Sequence, residues 1–222
     1  MGFGFLLIGY FFLIFYPLDS VGILPNLSVI GCIFMFAALK RLTRFCPDNK
    51  PFRAAKISLV PLAALSFAML VINAVKSSGK LTDELRLYCA EPLSIAAKLT
   101  VCVFTVLLFV GIYRLSNEVE LPKLASAASR RVTVTGVWGA AMAFSGVFAI
   151  VITAGVQVSA VLSGAIFYIG LLSMLLEYVC VIINLALIFS CYARICLEGD
   201  EDMPYREDIF DKIIAWTKRN KQ

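Results

Sequence analysis

Residues 132–193 read VTVTGVWGAAMAFSGVFAIVITAGVQVSAVLSGAIFYIGLLSMLLEYVCVIINLALIFSCYA, and Glu177 is the one charged residue among them. A helix of about 20 apolar residues already crosses a bilayer. Residues 1–39 behave in the same way, because Asp19 is their one charged residue. A helix in a soluble core does not explain uncharged runs of this length. The two stretches therefore predict an integral membrane protein.

The composition of the whole chain agrees with this prediction. The sequence is 60% hydrophobic and 16% charged, with a mean hydropathy of +0.88. Ordinary soluble chains are about 45–50% apolar and about 25% charged. A chain of 222 residues has room for several spans and for no separate soluble domain.

Hydropathy predicts an all-α integral membrane protein with a six-helix transmembrane bundle over residues 1–196. The predicted helices are residues 2–16, 21–39, 57–75, 92–113, 132–153 and 163–193. The last uncharged stretch is too long for two ordinary spans. It predicts a tilted helix, a projecting helix end or a re-entrant segment between residues 155 and 172.

The positive charges predict the orientation of the bundle. Lys and Arg exceed the acids in the predicted loops 40–56 and 114–131, and they balance them in 76–91. Cytoplasmic loops carry this excess, so we expect a multi-pass protein of the cell membrane with both termini in the cytoplasm. Seven cations are expected to contact anionic lipids of the inner leaflet: Lys40, Arg41, Arg44, Arg114, Arg130, Arg131 and Arg194.

Three similar stretches indicate internal repetition. They are FAALKRL at 36–42, FVGIYRL at 109–115 and FSCYARI at 189–195, and their superposition aligns Arg41, Arg114 and Arg194. One explanation is three diverged helical-hairpin repeats, over residues 1–56, 57–131 and 132–209. The other is that every second helix must end at a cytoplasmic cation, which the positive-inside rule alone would produce.

Polar side chains follow one face of the fourth and of the sixth predicted helix, at steps of 3 and 4 residues. Lys98 lies 16 residues before Arg114 and Glu177 lies 17 before Arg194, which is about 24 and 26 Å along a helix. If the repeats are real, the two charges lie at one depth, toward the outer leaflet. Unpaired charges are costly in lipid, so both faces should point into the bundle. The candidate site comprises Lys98, Cys102, Thr105, Ser173, Glu177, Cys180 and Asn184.

This site has two interpretations. It is either a small outward-facing polar cavity that contacts a solute or an ion, or a Lys98–Glu177 ion pair that fixes helix register. Snorkelling of both charges to the outer interface is a further structural explanation. Tyr10, Tyr16 and Tyr113 lie near predicted span ends and are expected in the interfacial aromatic belt.

Residues 197–222 differ in character from the bundle. An acidic linker is followed by MPYREDIFDKIIAWTKRNKQ, which predicts a short cytoplasmic amphipathic helix. Such a helix could lie flat on the inner membrane surface or bind a cytoplasmic or membrane protein partner. Its apolar side consists of Ile209, Phe210, Ile213, Ile214 and Trp216.

The sequence contains no recognisable catalytic motif. Histidine is absent, which excludes Ser-His, Cys-His and H-E-x-x-H chemistry. No C-x-x-C, G-x-S-x-G, P-loop or G-x-G-x-x-G occurs. We therefore expect no enzyme, no cofactor, no metal site and no nucleic-acid binding.

The opening of the chain resembles a group of bacterial membrane proteins. GFGFLLIGYFF at 2–12, followed by ILPNLSVIGCIFMFAALKRL at 23–42, is similar to the start of small, uncharacterised polytopic membrane proteins of Gram-positive bacteria. The resemblance covers about the first fifth of the chain. It implies a bacterial plasma membrane and no particular activity.

Two functional hypotheses follow. In the first, the protein is a non-enzymatic membrane subunit, scaffold or sensor that uses its cytoplasmic basic face and tail helix. In the second, it is a small-solute or ion transporter, channel or solute-binding component that uses the Lys98/Glu177 level. The sparse polar content of the predicted spans favours the first hypothesis.

Overall fold

The computed structural model describes residues 2–14, 27–77, 83–153 and 160–199. These parts of the chain form six α-helices and no strand, which confirms the predicted all-α class. The helices are α1 Gly2–Ile14, α2 Leu27–Phe45, α3 Lys50–Ser77, α4 Asp83–Glu118, α5 Pro122–Thr153 and α6 Ala160–Gly199.

The six helices form a closed ring. Each helix packs against the next in sequence, and α6 packs against α1. The interior of the ring is apolar, and its largest fully buried side chains include Phe3, Phe52, Phe104 and Phe109. Closure of the ring brings α1, α4, α5 and α6 to one small cavity.

Three helices are long and apolar enough to cross a membrane within the described ranges: Lys50–Ile72, Pro92–Glu118 and Gly164–Ile195. Gly2–Leu13 is a shorter apolar helix. Large side chains on α6 stay exposed, with Phe167 at 68%, Tyr168 at 70% and Leu172 at 67%. An apolar surface of this kind marks a face that contacts lipid or protein. These features support the prediction of a membrane protein.

Several helices extend beyond their predicted ends. The predicted loops 40–56 and 114–131 are mainly helical, and the real connections are 46–49 and 119–121. The prediction placed loops wherever charges began, but a helix can continue outside an apolar stretch. Backbone signals set the observed ends: α2 ends before Pro47, and Pro122 occupies the first position of α5.

The sixth helix is continuous from Ala160 to Gly199, a length of 40 residues. At 1.5 Å per residue this is about 60 Å, roughly twice the thickness of a hydrocarbon core. A re-entrant segment within residues 160–172 is therefore wrong, and a projecting helix end is the alternative that matches. The helix also includes residues 197–199, the beginning of the predicted acidic linker.

A tight turn joins α4 to α5. Leu121 N donates to Ser116 O at 2.8 Å and Glu120 N donates to Asn117 O at 3.3 Å. Glu120 has a φ of 57°, a left-handed conformation that suits glycine. These bonds form a Schellman motif, with a glutamate at the position that glycine usually occupies.

Replacing Glu120 with glycine is expected to stabilise the protein. The change removes left-handed strain of about 1–2 kcal/mol from the folded protein. It also stabilises the unfolded chain by about 0.5–1 kcal/mol, because glycine has more backbone freedom. The net gain in the free energy of unfolding is therefore about 0.5–1 kcal/mol. Thermal unfolding in detergent would measure it. The control Arg114→Gly, at an exposed position inside the helix, should lower the midpoint; a decrease for Glu120→Gly would contradict the expectation.

The turn between α2 and α3 is attached to α4. Asn49 is buried, and its Nδ2 donates to Gly111 O at 2.9 Å. Cys46, in the same turn, has a pKa raised above its usual range by burial and then by the nearby charge of Glu118. The Asn49–Gly111 bond places this turn beside the C-terminal part of α4.

Several sequence predictions lie outside the described residues. They include Tyr16, the tail helix over residues 203–222 and its apolar residues Ile209, Phe210, Ile213, Ile214 and Trp216.

Candidate polar site

The two charged side chains at the centre of the sequence prediction meet in the structure. Lys98 Nζ on α4 lies 3.3 Å from Glu177 Oε2 on α6, and the side chains are 24% and 6% exposed. Lys98–Glu177 is an ion pair as well as a hydrogen bond. This contact agrees with the prediction that Lys98 and Glu177 lie at one depth, which came from their distances to Arg114 and Arg194 in the sequence. The pair ties α4 to α6 across the ring.

A chain of hydrogen bonds runs beside the ion pair. Thr105 Oγ1 donates to Val101 O at 2.8 Å, so this hydroxyl can accept the 3.3 Å bond from Tyr10 OH. Tyr10 OH in turn accepts from Asn184 Nδ2 at 3.0 Å. A tyrosine is both donor and acceptor, and here it satisfies both roles. The chain joins α1, α4 and α6.

The expectation that Tyr10 belongs to an interfacial aromatic belt is wrong. Its side chain is only 3% exposed, because Thr105 and Asn184 offer partners inside the ring. Tyr113 is exposed, at 41%. Sequence spacing alone does not distinguish an interfacial tyrosine from one whose partners come from distant helices.

The remaining members of the predicted site have separate surroundings. Cys102 donates to Thr135 O at 3.3 Å and packs against Gly139, where an added Cβ would collide with the Cys102 sulfur. Cys180 is buried and lines the same cavity as the ion pair. Ser173 is buried, and its Oγ has no hydrogen-bond partner among the described residues. The structure therefore brings Lys98, Thr105, Glu177, Cys180 and Asn184 to one cavity, which neither Cys102 nor Ser173 lines.

The cavity is small. Its volume, measured as the space open to the centres of water molecules, is about 20 Å³. One water occupies about 10–15 Å³, so a space of about 20 Å³ for water centres alone accommodates at least one water. Tyr10, Thr135 and Trp138 also line the cavity, and most of its surface is apolar.

Sequence analysis missed the contribution of α5 to this cavity. Thr135 and Trp138 are buried and line it, and neither Thr135 Oγ1 nor Trp138 Nε1 has a hydrogen-bond partner in the described part of the chain. Arg131, Thr135 and Trp138 follow steps of 4 and 3 residues, the signal of a shared helical face. That spacing could have identified them.

A second concavity is larger and apolar. It has a volume of about 460 Å³ and lies between α1 and α6. Its lining includes Leu7, Phe12, Leu185 and Phe189. A surface without polar groups has no means to orient a polar solute, so this groove does not fit a polar solute.

Six of the seven predicted inner-face cations are exposed, and all of them except Arg130 lie in the last turns of their helices: Lys40, Arg41, Arg44, Arg114, Arg130 and Arg194. The guanidinium of Arg41 also stacks over the Phe5 ring, 4.6 Å from its centroid. Arg131 differs, because its side chain is partly buried. Its Nε is buried without a hydrogen-bond partner among the described residues.

No protein-family model, curated protein or solved structure matches this chain. Within the described ranges, no three Cys, Asp or Glu side chains lie close enough together to hold a metal ion. The chemistry of the site must therefore be argued from its own geometry.

Proposed function

We propose that the protein is a multi-pass integral membrane protein in which all six helices cross or enter the bilayer. Three long apolar helices and the shorter apolar α1 support this proposal. The exposed cations at the ends of α2, α4 and α6 favour a cytoplasmic position for those ends, and hence for both termini. The resemblance of the N-terminal fifth favours a bacterial plasma membrane.

We further propose that the protein acts as a non-enzymatic membrane subunit, scaffold or sensor. The Lys98–Glu177 contact of 3.3 Å carries this proposal, because it joins two helices across the ring. The hydrogen bonds of Tyr10 add a third helix to the same junction. The cavity, at about 20 Å³, is far smaller than the pockets of about 300–1,000 Å³ that usually bind organic ligands. In this view the polar site holds helices in register.

Anionic inner-leaflet lipids are the proposed ligands of the basic face. A cytoplasmic or membrane protein partner is proposed for the tail helix, over residues 203–222. The three hairpins α1–α2, α3–α4 and α5–α6 are each internally packed, which is compatible with three diverged repeats. The positive-inside rule explains the same pattern without a repeat.

A double-mutant cycle on the ion pair tests the scaffold proposal. Lys98→Met and Glu177→Gln should each lower the free energy of unfolding by about 2–3 kcal/mol, because each leaves its partner unpaired. A fully buried pair would lose about 3–5 kcal/mol, but Lys98 remains 24% exposed. The double variant should recover much of the loss. Thermal unfolding in detergent measures all four proteins.

Exposed charges provide the matched controls for this cycle. Lys123→Met and Glu118→Gln change the same residue types at exposed positions, and each should shift stability by less than about 0.5 kcal/mol. Additive losses at Lys98 and Glu177 would show that the two side chains are not coupled, and the register role would be abandoned.

The alternative function is a small-solute or ion transporter, channel or solute-binding component. The partial exposure of Lys98 at the cavity favours it, because a solute could reach the ammonium group. A panel of cations and small metabolites added to the same unfolding assay separates the two functions. If a cation or a metabolite stabilises the wild type and stabilises neither single variant, the transport or solute-binding function replaces the scaffold proposal.

A further inference from the structure

The apolar part of α6 is longer than a membrane is thick. Residues 160–193 contain a single charged residue, Glu177, and they measure about 50 Å at 1.5 Å per residue. At the average helix tilt of about 20°, this stretch covers about 47 Å along the membrane normal. A bilayer is about 40–45 Å thick with its headgroups, and its hydrocarbon core is about 30 Å thick. Part of the apolar helix therefore lies where lipid tails cannot cover it.

The N-terminal end of α6 is the part that projects. Arg194 is exposed and belongs to the basic face that we propose to be cytoplasmic. A hydrocarbon core takes up about 20 residues counted back from Arg194, so its outer boundary lies near Met174. The ion pair of Glu177 lies just inside this boundary. Residues 160–173 then extend outward by about 20 Å.

The projecting end exposes large apolar side chains. Phe167, Tyr168, Leu171 and Leu172 are each more than half exposed. A Cβ added at Gly170 would meet nothing within 4 Å, so this side of the helix stands clear of the rest of the described chain. Apolar surface in water costs about 25 cal/mol per Å² relative to its burial. The projecting end therefore favours a protein partner that covers it.

An exposed seam continues from the projecting end into the membrane. From Leu175 to Ala186, the exposed positions of α6 form one narrow line, and the positions beside it are buried or half-buried. The line follows steps of 3 and 4 residues, the spacing at which helices of a coiled coil meet. None of its residues is charged. We define the α6 seam as six exposed residues: Tyr168, Leu172, Leu175, Val179, Ile182 and Ala186.

Comparison with α3 shows that length, and not spacing, distinguishes this seam. α3 exposes a stripe at the same steps of 3 and 4 residues, because any outward helix face has this period. The stripe of α3 spans about 21 Å, which fits inside a hydrocarbon core of about 30 Å, so lipid alone can cover it. The α6 seam passes beyond the core at its outer end. The residues of the α3 stripe are Ile57, Val60, Ala64, Phe67 and Val71.

We propose that the α6 seam binds a second copy of this chain and forms a parallel homodimer. The partner of the seam must cross the membrane beside α6 and present an apolar face at the same height outside it. A second copy meets both requirements, because two copies inserted with the same topology place each seam residue opposite its equivalent. A twofold dimer uses the same patch on both subunits in this way. The proposal rests on the membrane position proposed for α6, and it names a partner for the scaffold.

The two ends of the seam contribute differently to this dimer. Outside the bilayer, Tyr168 and Leu172 are removed from water, so the hydrophobic effect favours their contact. Inside the bilayer, helix association depends on van der Waals packing. Ala186 also lines the apolar groove between α1 and α6. This groove gives the second copy a concave surface against which to pack.

Disulfide cross-linking in membranes tests the dimer. The matched pair is Tyr168→Cys on the seam and Phe167→Cys beside it, whose native side chains are 70% and 68% exposed and lie in contact with each other. Oxidation should link Tyr168→Cys and Leu172→Cys into dimers and leave Phe167→Cys at background, because a disulfide needs Cβ atoms about 3.5–4.5 Å apart. Four of the seven native cysteines are buried, so the background protein carries serine in place of the other three: Cys46, Cys89 and Cys196.

Labelling with a membrane-impermeant maleimide separates the dimer from the membrane position of α6. In right-side-out vesicles the reagent should label Phe167→Cys strongly and Tyr168→Cys weakly, because the second copy covers the seam. Absence of labelling at Phe167→Cys overturns the proposed position of α6 and the dimer with it. Strong and equal labelling of both variants overturns the dimer alone. Protection of Tyr168→Cys without a disulfide-linked dimer also overturns it and assigns the seam to a different protein.

Co-purification of two differently tagged copies gives an independent measurement in detergent. Tyr168→Glu would place two like charges opposite each other, which costs several kcal/mol. It should lower the amount of the second copy that is recovered by roughly tenfold or more. Phe167→Glu adds the same charge at the same height, beside the seam, and should leave the recovery unchanged. An equal effect of the two substitutions, or no effect of Tyr168→Glu, overturns the α6 seam as the interface.

Discussion

Replacing Gly31 with valine is expected to destabilise the protein by about 3 kcal/mol, the upper end of the range for overpacking. A Cβ on Gly31 would lie 2.9 Å from Gly9 O and 3.1 Å from Phe12 Cβ. A Cβ on Gly9 would lie 2.9 Å from Gly31 O and 2.6 Å from Met35 Cγ. The backbones of α1 and α2 therefore meet at these two glycines. A backbone oxygen cannot rotate away as a side chain can, so the helices would have to separate.

Thermal unfolding in detergent measures this effect. A loss of about 3 kcal/mol corresponds to a decrease of roughly 6–12 °C in Tm for a chain of this size. Gly136→Val is the matched control, because a Cβ at Gly136 meets nothing within 4 Å. Both changes alter helix propensity equally, so their difference isolates the collision. Equal midpoints for the two variants would rule out the close crossing of α1 and α2.

Asn49→Asp is expected to produce the second large loss, about 3–5 kcal/mol at neutral pH. The amide of Asn49 donates to Gly111 O at 2.9 Å from a buried position. A carboxylate of the same shape would place an uncompensated charge against that carbonyl oxygen, which is the costly case for a buried ion. The turn before α3 would then detach from α4.

Acid should reverse the effect of Asn49→Asp. Burial without a cationic partner raises the pKa of the introduced carboxyl in the folded protein above its unfolded value of about 3.9. Stability is then fully present below the unfolded pKa, because the protonated carboxyl can donate to Gly111 O. This contribution to stability is lost as the pH rises through the pKa of the carboxyl in the folded protein.

Unfolding of wild type and Asn49→Asp between pH 4 and pH 8 tests this directly. Asn49→Ala serves as the control, because it removes the hydrogen bond without adding a titratable group, and its deficit should not change with pH. A deficit in Asn49→Asp that is equal at both pH values would contradict the burial of this side chain against Gly111.

The sequence predicted the parts of the site that depend on helical spacing and composition. The polar face of α6 is buried as expected, and Lys98 and Glu177 meet. Their positions relative to Arg114 and Arg194 contained that information, because helix rise converts residue number into depth. The all-α class followed from the length of the uncharged stretches.

The parts that the sequence did not predict depend on contacts between distant segments. The burial of Tyr10 requires Thr105 and Asn184, which lie on two other helices. The connection at 119–121 was placed inside a longer loop because charge does not stop a helix, whereas the Schellman motif around Glu120 does. The spacing of Thr135 and Trp138 predicts a shared helical face, but only the structure shows that this face lines the cavity.

The contact between α1 and α6 has a consequence for biosynthesis. Asn184 and Tyr10 bond across a sequence separation of 174 residues. At about 5–20 residues per second, a ribosome needs roughly ten to thirty seconds to synthesise the chain between them. During that interval α1 is already complete while its last neighbour does not yet exist. The ring can close only when the final helix emerges, so a stalled or shortened nascent chain would leave the phenol of Tyr10 without Asn184, a defect that cellular quality control could recognise.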